Sequence, residues 1–274
     1  MKDIQYRDGH YYLPLPLRDP KKVIPNNRTQ CLQHALWLKQ RLLKNDKMFN
    51  DYKAFMKTNI EKGYVKLAPT SSTPDRTWYI PHHGVYHPRK PEKIRVVFDC
   101  TAKYQGYCLN QELIQGPDLT NQLVGVLLRF CQEPVAVMGD IEAMFYQVRV
   151  PEQFHDNLRF LWWPDGDLSQ DPIDYQMCVH LFGATSSPSC SNYALRQTAD
   201  ANKETYGEEA AQSLYRNFYI LTIFSSHFQT YQVLLGRCQI SPICANSVGF
   251  DSQSLCRMNE ISFQQFLKKN EQNP

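Results

Sequence analysis

The 274-residue chain reads as an α+β protein. Three observations predict that class. Residues 28–63 carry apolar side chains at helical spacing, residues 77–99 are short β-like runs, and residues 134–224 read strand, hairpin, helix, strand in succession. Residues 1–27 are Pro-rich and extended, ending in "DPKKVIPNN". In the segment that follows, Leu32, Leu36 and Leu43, and past the "KND" break Phe49, Tyr52, Phe55, Met56 and Ile60, predict a pair of helices, with Gly63 as a stop. A Pro/Ser/Thr stretch (68–76) leads into "TWYIPHHGVYH" and "KIRVVFDC". Asp118 is placed to cap a helix in which Leu119, Leu123, Val126, Leu127 and Phe130 recur at one face. "PVAVMGDIEAMFYQVRV" predicts a strand, and "LRFLWWPDGDLSQDPIDYQMCVHLF" a hairpin around Pro164-Asp165-Gly166. Ser187 as N-cap, Pro188 in the first turn and Gly207 past the end bracket a helix. "NEISFQQFLKKN" (259–270) predicts a short terminal helix.

Composition narrows the class of function. The hydrophobic fraction of 42% supports a sizeable core. A net charge of +3 and a pI near 8.3 permit a polyanionic partner without requiring one. The nine cysteines are scattered with no C-x-x-C pair, which argues against a disulfide framework or a zinc ribbon and for a reducing compartment. With no apolar leader and no run long enough to span a bilayer, the expected location is intracellular, cytoplasmic or nuclear. Composition shifts near residue 220: only seven charged side chains fall in residues 221–274.

The residues with most chemistry lie in "VAVMGDIEAMFYQVRV". An apolar strand runs into Asp140 and, two residues on, Glu142, so a continuous strand would project both acids from one face. A carboxylate ending a core strand is costly unless it is paired or binds a metal. The ordinary alternative is that the strand simply leaves the core there. Arg95 in its alternating strand reads equally as an exposed charge, Phe145 as core and Gly183 as a helix-entry turn. His82, His83 and His87 have no Cys or acid at ligand spacing, so zinc is not expected there. Ser186 and Ser187 lack a G-x-S-x-G context and read as capping residues.

Taken together and in order, "RDGHYYLPLPLRDP", "WYIPHHGVYHP", "KIRVVFDCTAKYQG", "GPDLTNQLVGVLLRF", "FLWWPDGDLSQD" and "LFGATSSPSCSNYALR" resemble the reverse transcriptase domain of BEL/Pao-class LTR retrotransposons, over roughly residues 3–220. The resemblance implies a right-hand polymerase with fingers and palm, here incomplete. Residues 1–76 would be its extended and helical N-terminal region, 77–220 the fingers and palm core, and 221–274 a divergent tail in place of the remaining palm and thumb. It implies RNA-directed DNA polymerase activity with Mg²⁺ as cofactor, and RNA/DNA template–primer and deoxynucleoside triphosphates as partners. Asp140 matches the first metal-binding aspartate, with the Ile141 carbonyl as a second oxygen ligand. Arg95 matches the arginine that grips the triphosphate, and Lys93 is a further candidate for that role. Phe145 matches the steric gate against a ribose 2′-hydroxyl. Phe182 and Gly183 match the turn under the nascent base pair.

One feature departs from that pattern. The family implies a hairpin with an aromatic–x–Asp–Asp turn after the Gly183 helix, near "RNFY". Here the positions read Tyr219-Ile220-Leu221-Thr222, without an acid. A two-metal site needs carboxylates from both strand and hairpin, so the expectation is a chain without polymerase activity. Alternatives are a non-catalytic nucleic-acid-binding module, a retroelement remnant that does not fold stably, and a metal hydrolase using Asp140, Glu142 and the histidines.

Overall fold

The computed structural model describes residues 4–70, 76–131, 137–219, 222–225 and 240–242. In chain order the elements are β1 (Gln5–Arg7), β2 (His10–Tyr12), α1 (Arg28–Leu43), α2 (Asp46–Glu61), β3 (Val65–Leu67), β4 (His82–His87), β5 (Lys90–Phe98), α3 (Leu109–Glu112), α4 (Leu123–Phe130), β6 (Val137–Ile141), β7 (Val148–Arg149), β8 (Arg159–Trp162), β9 (Ile173–Met177), α5 (Ser187–Tyr206), α6 (Glu208–Arg216), β10 (Phe218–Tyr219), β11 (Thr222–Ser225) and β12 (Ile240–Pro242). They form two compact units: residues 1–117 with 145–191, and residues 118–144 with 192–274. The segment 259–270 lies outside the described residues. Among the described residues, no helix is long and apolar enough to cross a membrane.

The first unit holds the main core. The predicted helix pair is α1 and α2. The Asn45 side chain accepts a hydrogen bond from the Met48 backbone N–H at 2.9 Å, capping α2 at the predicted break. Its buried stripe is Met48, Tyr52, Met56 and Asn59, and Gly63 follows with φ of +64°. The face of α1 differs from the expected one. Cys31, Ala35, Leu38 and Leu42 are buried, whereas Leu36, Leu43 and the neighbouring Trp37 are exposed, as is Ile60 of α2. The buried set keeps the 4-3-4 spacing of one helix face, and the small residues Cys31 and Ala35 let α1 approach the core closely.

Two sheets face these helices. β8 and β9 pair antiparallel around the Pro164–Gly166 turn, as expected, and β3 adds to β9. β4 and β5 form an antiparallel hairpin in which Ile94, Val96 and Phe98 point inward. Trp78, Trp162, Trp163, Tyr52, Phe98 and Phe160 fill the space between. Tyr52 stacks on Trp162 at 5.1 Å between centroids. His82 belongs to this core. Its Nε2 donates to the Leu161 carbonyl at 2.9 Å, which leaves Nδ1 to accept from the Tyr52 hydroxyl. Burial lowers its pKa to about 4, so it is neutral at pH 7.

A polar knot fastens α1 to the β8–β9 hairpin. Arg159, nearly fully buried, donates through Nε and Nη2 to one Asp156 oxygen at 2.9 and 2.7 Å. Asp174 accepts from Arg28 and from the Tyr79 hydroxyl at 2.6 Å. Each buried charge is thus paired.

The second unit is built on a four-stranded sheet in the order β10-β11-β6-β12, with all neighbours antiparallel. α4 is shorter than expected. The Asp118 carboxylate accepts from Thr120 N–H at 2.9 Å in a local turn, and the helix starts at Leu123 with no side-chain cap. Val126 is its buried residue, and Leu123 and Leu127 are exposed. α5 spans Ser187–Tyr206 and stops at Gly207, whose φ is +87°. Ser187 lies inside the helix, and the buried Ser186 and Ser187 hydroxyls make no capping hydrogen bond among the described residues, so neither is the expected cap.

Candidate functional site

The strand carrying Asp140 is shorter than the sequence suggests. β6 ends at Ile141, Glu142 and Ala143 turn, and a 3₁₀ turn spans Met144–Gln147. Ala143 has φ of +47°, a left-handed conformation that no strand continues through. Glu142 is exposed in that turn and does not share a strand face with Asp140, contrary to the expectation of one continuous strand.

Within the second unit, β6 is the inner strand beside β11 and β12. Asp140 stands directly opposite Thr222 on β11 and opposite Ser241 on β12. Neither of these two paired positions is an acidic residue type. Strands β10 and β11 form the expected hairpin, with Phe218 opposite Ile223 and Tyr219 opposite Thr222.

Side chains of the preceding helix segment pin this hairpin. Asn121 donates through Nδ2 to the carbonyls of Tyr215 (2.9 Å) and Phe218 (2.8 Å). Arg129 donates from Nε to Asn217 Oδ1 at 2.8 Å and from Nη2 to the Arg216 carbonyl. Phe218, Leu214, Ala210 and Ala211 are buried beneath. Neither Asn121 nor Arg129 stood out in the sequence, because both read as ordinary polar residues around an apolar helix.

Within the first unit the remaining candidates fall into two groups. Lys93 and Arg95 lie two residues apart on the exposed side of β5, and Arg95 pairs in register with Val85. Phe145 and Phe182 come together, their ring centroids 5.3 Å apart at 41°, with Phe182 61% exposed. An exposed ring leaning on a half-buried one makes an aromatic ledge suited to stacking. Gly183 follows at φ of +131°, and a Cβ there would lie 2.6 Å from the Phe98 carbonyl oxygen. Only glycine fits at that approach.

The acids of the described residues do not fit the two divalent ions that the family resemblance implies. Among the described residues, no three His, Cys, Asp or Glu side chains converge as a metal site. Of the acids singled out in the sequence, Asp140 is on the strand and Glu142 is in the turn beyond it. The Ile141 carbonyl would add one neutral oxygen, which does not replace a carboxylate charge.

No protein-family model matches the chain, and no curated protein does. Solved structures are similar. The foamy viral protease-reverse transcriptase dRH in complex with double-stranded DNA aligns with a TM-score of 0.53 at 11% identity, over 86% of this chain and 35% of that one. The prototype foamy virus protease-reverse transcriptase CSH mutant aligns with a TM-score of 0.52 at 16% identity, over 85% of this chain and 27% of that one. The chain thus spans about a third of the length of these structures. The likeness shows a reverse transcriptase-like fold of mixed helices and strands.

Proposed function

We propose that this chain is the fingers and palm part of a BEL/Pao-like reverse transcriptase, one that grips a template–primer but does not transfer nucleotides. The observation that carries the reading is the pairing of Asp140 with Thr222 and Ser241. In this reading the hairpin corresponds to the family's aromatic–x–Asp–Asp turn, with Leu221 and Thr222 in the acidic positions. At 4 Å and an effective dielectric near 20, a carboxylate facing a divalent ion contributes roughly 8 kcal/mol of Coulomb energy. A site short of two carboxylates would leave two Mg²⁺ ions far from compensated.

The binding surface keeps its parts. Lys93 and Arg95 would hold phosphates, Arg95 in bidentate fashion. Phe145 would exclude a 2′-hydroxyl by bulk, and Phe182 with Gly183 would pack against a base pair. Fluorescence anisotropy of an RNA/DNA hybrid titrated with the protein at several salt concentrations tests the reading. The expected result is binding that weakens steeply with salt, with a slope reduced by about one in the Arg95→Ala variant. Binding that is absent or insensitive to salt would refute it.

A further inference from the structure

The Phe182–Gly183 turn is held in place by a residue of the short helix α3, Asn110. Asn110, the second residue of α3, donates through Nδ2 to the Gly183 carbonyl at 2.9 Å. Its Oδ1 accepts from the Thr185 backbone N–H, also at 2.9 Å. The amide therefore acts on both sides of residue 184, as a neighbouring strand would. Its orientation is unambiguous, because the partners are one acceptor and one donor. Asn110 is itself anchored: its backbone N–H donates to the Cys100 carbonyl at 3.0 Å, and the flanking Cys108 and Leu109 are buried.

The turn needs such support. Gly183 sits at a positive φ against the Phe98 carbonyl, and glycine adds no side-chain contacts of its own to hold a conformation. Phe182 is mostly exposed and touches Phe145 from one side. Neither aromatic packing nor intrinsic backbone preference fixes where the Phe182 ring points. The two Asn110 hydrogen bonds hold the backbone on either side of residue 184, just after Phe182.

We propose that Asn110 is a positioning residue that presets the Phe145–Phe182 aromatic ledge for stacking against a nucleobase of the template–primer. This rests on the nucleic-acid-binding reading above and adds a residue that sets its geometry. Asn110 makes no phosphate contact in this role, so its loss is expected to weaken affinity without changing the number of ions released.

The test compares wild type with Asn110→Ala in the hybrid titration across salt, together with the ¹⁹F spectrum of 4-fluorophenylalanine placed at position 182. The expected result is about tenfold weaker binding at each salt concentration with an unchanged salt slope. The fluorine line of the free variant should be shifted or broadened. A purely structural role would move the unfolding midpoint but neither the line shape nor the affinity of the folded protein. If Asn110→Ala does not unfold cooperatively, Asn110→Asp takes its place. It keeps the acceptor for Thr185, loses the donor to Gly183, and should weaken binding at least about threefold. Wild type that binds, beside a folded variant of equal affinity and unaltered fluorine line, overturns the inference alone. Wild type that shows no salt-dependent binding overturns the functional reading and the inference with it.

Discussion

Thr222 stands directly opposite Asp140 across the ladder between β11 and β6. Residues paired in this way have Cβ atoms about 5 Å apart, close enough for two carboxylates to share a cation. Restoring acids at the hairpin is therefore a defined experiment. Leu221→Asp with Thr222→Asp should cost about 1 kcal/mol without metal, through repulsion of like charges set opposite one another. Millimolar Mg²⁺ should then recover that loss by binding the folded state. Thermal unfolding with and without Mg²⁺ measures both. Wild type should show no Mg²⁺-linked shift.

Gly183→Ala should lower the stability of the first unit by at least about 2 kcal/mol. The added methyl meets the Phe98 backbone, which cannot swing aside, and φ of +131° strains any L side chain. All four tryptophans (37, 78, 162 and 163) lie in the first unit, so urea unfolding followed by tryptophan fluorescence reports on it selectively.

Arg159→Ala should lower the stability of the same unit by about 2–3 kcal/mol. It leaves Asp156 and one side of Asp174 without their buried cation, and the partial exposure of both carboxylates keeps the loss at the lower end of the range for broken buried pairs. Asp174→Asn should cost less, because Arg28 is half-exposed and can be solvated. Urea midpoints of the two variants give the comparison.

Acid should weaken the first unit before its carboxylates titrate. His82 and His180 are buried, and desolvation lowers both pKa values to about 4 from an ordinary 6.5. The unfolded chain therefore takes up these protons first, and stability falls as pH drops from about 6.5 toward 4. Each histidine contributes at most about 3 kcal/mol over that window. Urea midpoints between pH 7 and 4.5 should show the decline, and His180→Gln should flatten it. His180 Nε2 donates to the Leu13 carbonyl at 3.0 Å, a bond a glutamine amide can replace without a titrating group.

Much of this architecture was legible from local rules. Asn45 capping α2, the turn at Pro164–Gly166 and the bracketing of α5 by Ser187 and Gly207 are short-range signals that tertiary contacts did not override. The α1 face departs from the sequence pattern because Leu36 and Leu43 are more apolar than Cys31 and Ala35, yet the smaller residues pack inward. Asp118 found a nearer partner in Thr120 than the helix it was expected to cap. The end of β6 at Ile141 and the left-handed Ala143, which put Glu142 in a turn rather than on the strand with Asp140, leave no trace in residue type. The same holds for Asn110, Asn121 and Arg129. Their partners, mostly backbone groups, are 73 to 97 residues away, and nothing in a linear pattern announces such a pairing.

The most direct measurement is primer extension on an RNA template with deoxynucleoside triphosphates and Mg²⁺, run with wild type and Asp140→Ala side by side. With hydroxyls in the two places opposite Asp140, wild type should incorporate no more nucleotide than the variant. Extension by wild type that Asp140→Ala abolishes would contradict the account.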